Sequence, residues 1–336
     1  MCLTEKVKKS LFLEHGGKLL EEILASCKGK CNPIRSFSAE ELHKATNGFS
    51  TKCYSYEFDW YKGILDDQRP VLVKTYNKKF KNHYDGDDGA YRDIAISSLM
   101  SGHNNVLKLL GCCQEFPSPM LVYQYAGNGP LNTLGSIGSD GSALPWKMRL
   151  KVAKEIANAL TYLHTAFTRP IIHRDIKPTN VLLDEDFVAK LSSFQLSISV
   201  PEGKTVVEDM VTGTYGFIDP IYYETKCVNE QSDVYSFGVF LLVLLTGQSA
   251  WDSSLPENSR YIPFYITHMV EEERFNEIVD SKILEEGGGI IQEQQLQAFT
   301  ELALRCTKLT REDRPLMIDV AKELRRIERL VLSSAS

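Results

Sequence analysis

The short run IIHRDIKPTNVLLD (171–184) places Lys177 two residues and Asn180 five residues after Asp175. A carboxylate can orient or deprotonate a hydroxyl, an ammonium can meet a negatively charged transferring group, and a carboxamide oxygen can join the ligands of a divalent cation. The run therefore gathers a candidate base, a cation and a candidate metal ligand on one loop.

The elements that must hold this loop are legible from periodicity. Residues 52–125 are strand-like, with PVLVKTY and PMLVYQY as the clearest strands and one helical stretch near YRDIAISSLMS between them. From residue 145 onward helices dominate: WKMRLKVAKEIANALTYLH, SDVYSFGVFLLVLLTG, LQAFTELALRCTK and PLMIDVAKELRRIERLV carry apolar residues at three- and four-residue spacing. Loops are expected at GNGPLNTLGSIGSDGSAL and at the glycines 287–289. Ser38 stands three residues before Glu41, a capping-box pattern for a helix that Asn47-Gly48 should end. Ahead of it, residues 1–36 form an amphipathic segment. A short helix is expected there over about 18–27, with Gly16-Gly17 as a break and Phe12 and Leu20 on a face that either packs on the following domain or meets a partner.

Composition removes several function classes. A formal net charge of -6 disfavours nucleic acid or an anionic membrane as the main partner. The longest apolar run, FGVFLLVLL (237–245), is far shorter than the roughly 20 residues a membrane span needs. Eight cysteines without a secretory leader point to a reducing, cytoplasmic location and free thiols. Cys27 and Cys31 have no second ligand pair at zinc spacing, so no metal centre is expected. Cys2 beside the basic KVKK is the candidate for lipidation and hence for recruitment to the plasma membrane.

The order HNNVLKLLGCC, LVYQYAGNGPL, HRDIKPTN, GTYGFIDP, SDVYSFGV and EDRP, preceded by FSAEELHKATNGFS, resembles the kinase domain of plant receptor-like and receptor-like cytoplasmic kinases from about residue 37 to 330. The resemblance implies an α+β, bilobal fold. Its N-lobe, about 47–125, is a small antiparallel sheet with a regulatory helix; its larger helical C-lobe is about 126–330, and 331–336 is a tail. By the same resemblance Asp175, Lys177 and Asn180 are the catalytic-loop positions, Lys74 the phosphate-binding lysine, Tyr123 the gatekeeper, Gln124 to Ala126 the hinge with Tyr125 at the nucleotide, and Asp233 the brace of the catalytic loop. Ser193 and Gln195 stand where the family has the aspartate and glycine of its metal-binding turn. Ile221 replaces the glutamate that pairs with Arg314. Arg174 occupies the clamp for an activation-segment phosphate, for which Thr205, Thr212 and Thr214 are candidates.

The nucleotide positions depart from the family. Aligning WYKG (60–63) puts Cys53, Ser55 and Phe58 where the phosphate loop has three glycines, whose missing Cβ lets backbone amides approach phosphate. Trp60 and Leu72 replace smaller residues around the adenine. The helix glutamate that should meet Lys74 is absent; Asp93 or Ile94 takes its place, and an aspartate would have to bring its helix inward. Serine is neutral and cannot serve as the principal ligand of a hard divalent cation.

These departures favour a binding protein over an enzyme. The N-terminal segment and degraded loop resemble the ZED-related branch of plant receptor-like cytoplasmic pseudokinases. That branch implies an adaptor in innate immunity. Its expected partners are a nucleotide-binding leucine-rich-repeat immune receptor, pathogen effectors and receptor-like cytoplasmic kinases. No cofactor is required in this reading. The alternatives are a slow Ser/Thr kinase using ATP with Mg²⁺ or Mn²⁺, and ATP bound without transfer.

Overall fold

The computed structural model describes residues 4–27, 34–55, 58–76, 88–137 and 143–330. Cys2, Cys31 and the tail 331–336 lie outside the described residues, as do the side chains of Cys27 and Ser55. In chain order come α1 (Glu5–Cys27), β1 (Arg35–Ser36), α2 (Ala39–Ala45), β2 (Lys52–Ser55), β3 (Asp59–Ile64), β4 (Pro70–Thr75), α3 (Asp88–Met100), β5 (Leu109–Cys113), β6 (Met120–Gln124) and β7 (Gly129–Pro130). Then follow α4 (Trp146–Thr165), β8 (Ile171–Ile172), β9 (Val181–Leu183), β10 (Ala189–Leu191), β11 (Ile198–Ser199), β12 (Val207–Glu208), α5 (Pro220–Thr225) and β13 (Cys227–Val228). The chain ends with α6 (Glu230–Thr246), α7 (Ile262–Glu271), α8 (Ser281–Glu285), α9 (Gly289–Cys306) and α10 (Met317–Glu328). They divide into two units, one of residues 1–129 and 182–197, the other of residues 130–181 and 198–336.

The first unit is built on a sheet in the order β1-β5-β6-β4-β3-β2. Its five longer strands pair antiparallel, and the apolar run of β4 is buried on both faces at Val71, Leu72 and Val73. The edge strand β1 joins parallel to β5, a pairing the sequence does not announce. Only glycine fits opposite it, because a Cβ on Gly111 would lie 2.0 Å from the Arg35 carbonyl oxygen. The capping box forms as expected: Ser38 Oγ accepts from Glu41 N at 3.1 Å and Glu41 Oε2 accepts from Ser38 N at 2.8 Å. Ser38→Ala should therefore cost about 1 kcal/mol in chemical denaturation, while Ser38→Asp should cost far less.

Helix α1 corrects the expectation of a break at Gly16-Gly17. It runs unbroken from Glu5 to Cys27 and packs along α3. Two interior glycines cost about 1 kcal/mol each relative to alanine. The packing outweighs that cost. His15 is buried, its Nδ1 donates to the Gln114 carbonyl at 2.9 Å, and its ring lies 5.9 Å from that of Tyr91. Leu19 adds to the apolar cluster around Trp60 and Leu72. The opposite face leaves Leu13, Leu20 and Leu24 exposed, and Phe12, on the side of Leu19, is exposed as well.

The second unit is helical. Helix α6 is apolar nearly all round and correspondingly buried, ending at Gly247 in the left-handed conformation with φ 65°. Helix α10 buries the stripe Met317, Val320, Ala321, Leu324 and Ile327. Among the described residues no helix is long and apolar enough to cross a membrane.

Candidate functional site

In the first unit everything converges on Lys74. Strand alternation puts Leu72 and Lys74 on one face of β4, Tyr76 follows directly after its end, and Trp60 is the cross-strand partner of Lys74 on β3. The Lys74 side chain is fully buried. Its Nζ lies 2.7 Å from Asp93 Oδ2 on α3, 3.1 Å from Gln195 Oε1 and 3.3 Å from Ser193 Oγ. Three aromatic rings surround the same ammonium, with centroids at 4.0 Å for Phe58, 5.0 Å for Tyr76 and 5.6 Å for Trp60. The open question between Asp93 and Ile94 is thus resolved for Asp93, and Lys74 is enclosed rather than solvated.

Asp93 is equally saturated. Besides Lys74, it accepts from Tyr76 Oη at 2.6 Å, Ser97 Oγ at 2.9 Å, the Phe194 amide at 3.1 Å and Tyr123 Oη at 3.2 Å. Burial pushes its carboxyl up, but the Lys74 charge and the hydrogen bonds from Lys74, Tyr76 and Phe194 prevail, and the group is held below its ordinary range. The turn that supplies Ser193 and Gln195 is fixed from behind. Phe194 is buried, Arg92 Nη1 donates to the Gln195 carbonyl at 3.2 Å, and Arg92 also lies 3.8 Å from Glu22 of α1. Ser193 sits in the left-handed region at φ 71°, a conformation that L-residues adopt only where surrounding contacts impose it.

The residues expected around an adenine are packed on one another. Trp60, Leu72, Tyr123, Ala126 and Leu182 belong to one buried cluster, against which Tyr54, Phe58 and Tyr125 rest. Trp60 and Tyr123 have ring centroids 5.6 Å apart. Tyr54, which the sequence reading passed over, reaches Gly129: a Cβ there would meet its Oη at 2.6 Å. Cys53 stays apart, half-buried, its Sγ facing the Thr51 carbonyl at 3.9 Å. These residues do not fit a nucleotide-bound magnesium ion. The turn offers a neutral hydroxyl where such an ion selects anionic oxygens, and the lysine that would hold phosphate already has a carboxylate, an amide oxygen and a phenyl ring around it.

The second unit carries a complete catalytic-loop arrangement. Asp175 Oδ2 lies 3.0 Å from Lys177 Nζ and accepts from Asn180 Nδ2 at 2.8 Å, while Oδ1 accepts from Thr214 Oγ1 at 2.6 Å. Thr214 also accepts from Lys177 Nζ at 2.6 Å, so this threonine belongs to the loop network rather than to a freely presented segment. Burial raises the Asp175 carboxyl, but the Lys177 charge and the Thr214 hydrogen bond outweigh it and leave the group below its usual range. A carboxylate so held is a weak proton acceptor. Asp233 braces the loop from below, accepting from the His173 amide at 2.8 Å, the Arg174 amide at 2.9 Å and His164 Nε2 at 2.9 Å.

The substitution at Ile221 is compensated. Arg314 Nη2 donates to Asp219 Oδ1 at 2.8 Å, and Arg311 Nη2 to Asp219 Oδ2 at 2.9 Å. Asp219 also accepts from the Ile221 amide at 3.1 Å, capping α5, and from Ser232 Oγ at 3.1 Å. Ile221 itself is the second residue of α5 and supplies only backbone to this arrangement. Elsewhere in the segment Thr205 is exposed, whereas the Thr212 hydroxyl is buried with no hydrogen-bond partner among the described residues.

A family model for the protein kinase domain matches residues 60–323. A protein of Arabidopsis thaliana named non-functional pseudokinase ZED1 is 46% identical over 340 residues, covering 98% of this chain and 100% of its own length. From the same plant, non-functional pseudokinase ZRK2 is 44% identical over 95% of this chain and 90% of its own, and serine/threonine-protein kinase ZRK1 is 43% identical over 97% and 95%. The relatives therefore carry both kinds of name. With strands β4 to β6, helices α3 to α9 and the HRDIKPTN loop all inside the matched span, this chain belongs to the protein kinase domain family.

Proposed function

We propose that the protein is a pseudokinase adaptor in plant innate immunity: a kinase-fold binding module with little or no phosphoryl transfer. In this reading it links an intracellular nucleotide-binding leucine-rich-repeat receptor to pathogen effectors or to host receptor-like cytoplasmic kinases that effectors have modified. The observation that carries the loss of transfer is the enclosure of Lys74 by Asp93, Gln195, Ser193 and the Phe58 ring. Metal-ion charge stabilisation supplies several kcal/mol in phosphoryl transfer, and losing about 4 kcal/mol slows a reaction by about three orders of magnitude. The names of ZED1 and ZRK2 support the same reading. The adaptor role draws on the resemblance to the ZED-related branch, and the exposed Phe12, Leu13, Leu20 and Leu24 of α1 supply an apolar surface suited to a protein partner.

Titration calorimetry with ATP and Mg²⁺ tests the first half. The wild-type chain is expected to give no binding heat, whereas a dissociation constant below about 1 mM, equivalent to roughly -4 kcal/mol, would overturn the enclosure argument. For the second half, co-purification with the leucine-rich-repeat region of a candidate receptor should survive Asp175→Ala and be lost in Leu20→Asp. Dependence on Asp175 instead would favour an enzyme acting on its partner.

A slow Ser/Thr kinase is the second reading, because Asp175, Lys177, Asn180 and Thr214 keep a fully bonded catalytic loop. The same bonds also hold the loop as structure. Retention of the loop therefore favours both readings alike, and the loss at Ser193 favours only one.

A further inference from the structure

Phosphorylation orders kinase activation segments by supplying an anion to an arginine of the catalytic loop. In this protein that arginine already has one. Arg174 Nη1 donates to the carboxylate of Asp209 and, at 3.3 Å, lies in reach of Tyr222 Oη. The arginine cannot follow a moving partner: its side chain is 3% exposed, its backbone is left-handed at φ 68°, and its amide is tied to Asp233. Asp209 is held as firmly from the backbone. Its amide donates to the Lys226 carbonyl at 2.9 Å, and the two preceding residues form β12, paired antiparallel with β13. Beyond it, Tyr222 Oη donates to the Met210 carbonyl at 2.6 Å and accepts from the Thr212 amide at 3.2 Å.

We infer that Asp209 is a built-in substitute for the activation-segment phosphate, a positioning residue that keeps residues 198–228 ordered on Arg174 without any modification. The candidate threonines agree with this. Thr214 is bound between Asp175 and Lys177, the Thr212 hydroxyl is buried, and of the three only Thr205 stands exposed. A phosphate arriving on Thr205 would meet an arginine whose carboxylate partner is four residues away and fixed on both sides. The inference is independent of whether the protein transfers phosphate.

Hydrogen exchange by mass spectrometry on the full chain tests it, after phosphatase treatment and confirmation of the unmodified mass. Peptides covering 205–214 are expected to be protected in the wild type. They should exchange about tenfold faster in Asp209→Asn, a loss in the lower range for a charge-assisted hydrogen bond because the carboxylate is partly exposed. Peptides of α6 should be unchanged, and Asp209→Glu should restore most of the protection. Three results would overturn the proposal: unmodified wild type exchanging as fast as Asp209→Asn, equal acceleration in α6 and in the segment, or a further tenfold slowing when Thr205 is phosphorylated. Should Asp209→Asn fail to fold, Asp209→Glu carries the test, and tenfold faster exchange of its 205–214 peptides would count against the proposal.

Discussion

Replacing Asp219 by alanine should destabilise the protein by about 3–5 kcal/mol, because it leaves two arginines near one another with their shared anion removed. Arg314 is the more costly of the two, being buried and dependent on Asp219 for its carboxylate contact. Chemical denaturation at neutral pH measures the loss. A double variant, Asp219→Ala with Arg314→Met, should recover part of it, since a buried charge without a counter-charge is worse than no charge. Glu224, the other acid near this point in sequence, is exposed and cannot substitute.

Asp219 also sets an expected pH dependence. Burial raises its carboxyl, but the hydrogen bond and charge of Arg314, together with Arg311, pull it below its ordinary range. Asp93 and Asp175 shift in the same direction. A folded-state value below the unfolded one means that the stabilisation is complete above the unfolded pKa, near about 4, and is lost as pH falls through the lower folded values. Unfolding free energy should therefore drop steeply below about pH 4, and Asp219→Asn should lack its share of that slope. Equal slopes in the two proteins would show that Asp219 is not paired as described.

The second large effect is expected at Asp93. Asp93→Ala strands the Lys74 ammonium among Phe58, Trp60 and Tyr76 with only neutral oxygens from Ser193 and Gln195, and removes the acceptor of four further donors. A loss of about 3–5 kcal/mol follows. The double variant Lys74→Met with Asp93→Leu should lose less than Asp93→Ala alone, because it removes both charges and keeps apolar volume. If instead the single change costs under about 1 kcal/mol, Lys74 is not enclosed and the account of a sealed phosphate position fails.

Much of this site was readable in advance where chemistry follows from local sequence. HRDIKPTN names its own hydrogen-bonding groups, the absent carboxylate at Ser193 needs no structure to be seen, and Ser38 with Glu41 encodes its cap within one turn. The continuous α1 was not readable, because two adjacent glycines signal a break locally and the packing that overrides them involves Tyr91 of α3 and Gln114 just after β5, far away in the chain. Tyr76 had a usable signal: alternation from Leu72 through Lys74, continued one residue past the end of β4, puts it on the same side. Tyr54 and Asp209 had none of comparable strength. Their partners, Gly129 and Arg174, are set by strand pairing and by a strained loop backbone, and neither reads as a pattern of residue types.

The most direct test of the central claim is transfer of labelled phosphate from ATP, in Mg²⁺ and separately in Mn²⁺, by the purified wild-type chain beside Asp175→Ala purified identically. The enclosed Lys74 and the neutral Ser193 lead us to expect equal, background-level signal from both proteins. Transfer by the wild type clearly above Asp175→Ala would contradict the account and make the Ser193 turn part of a working, if unusual, kinase site.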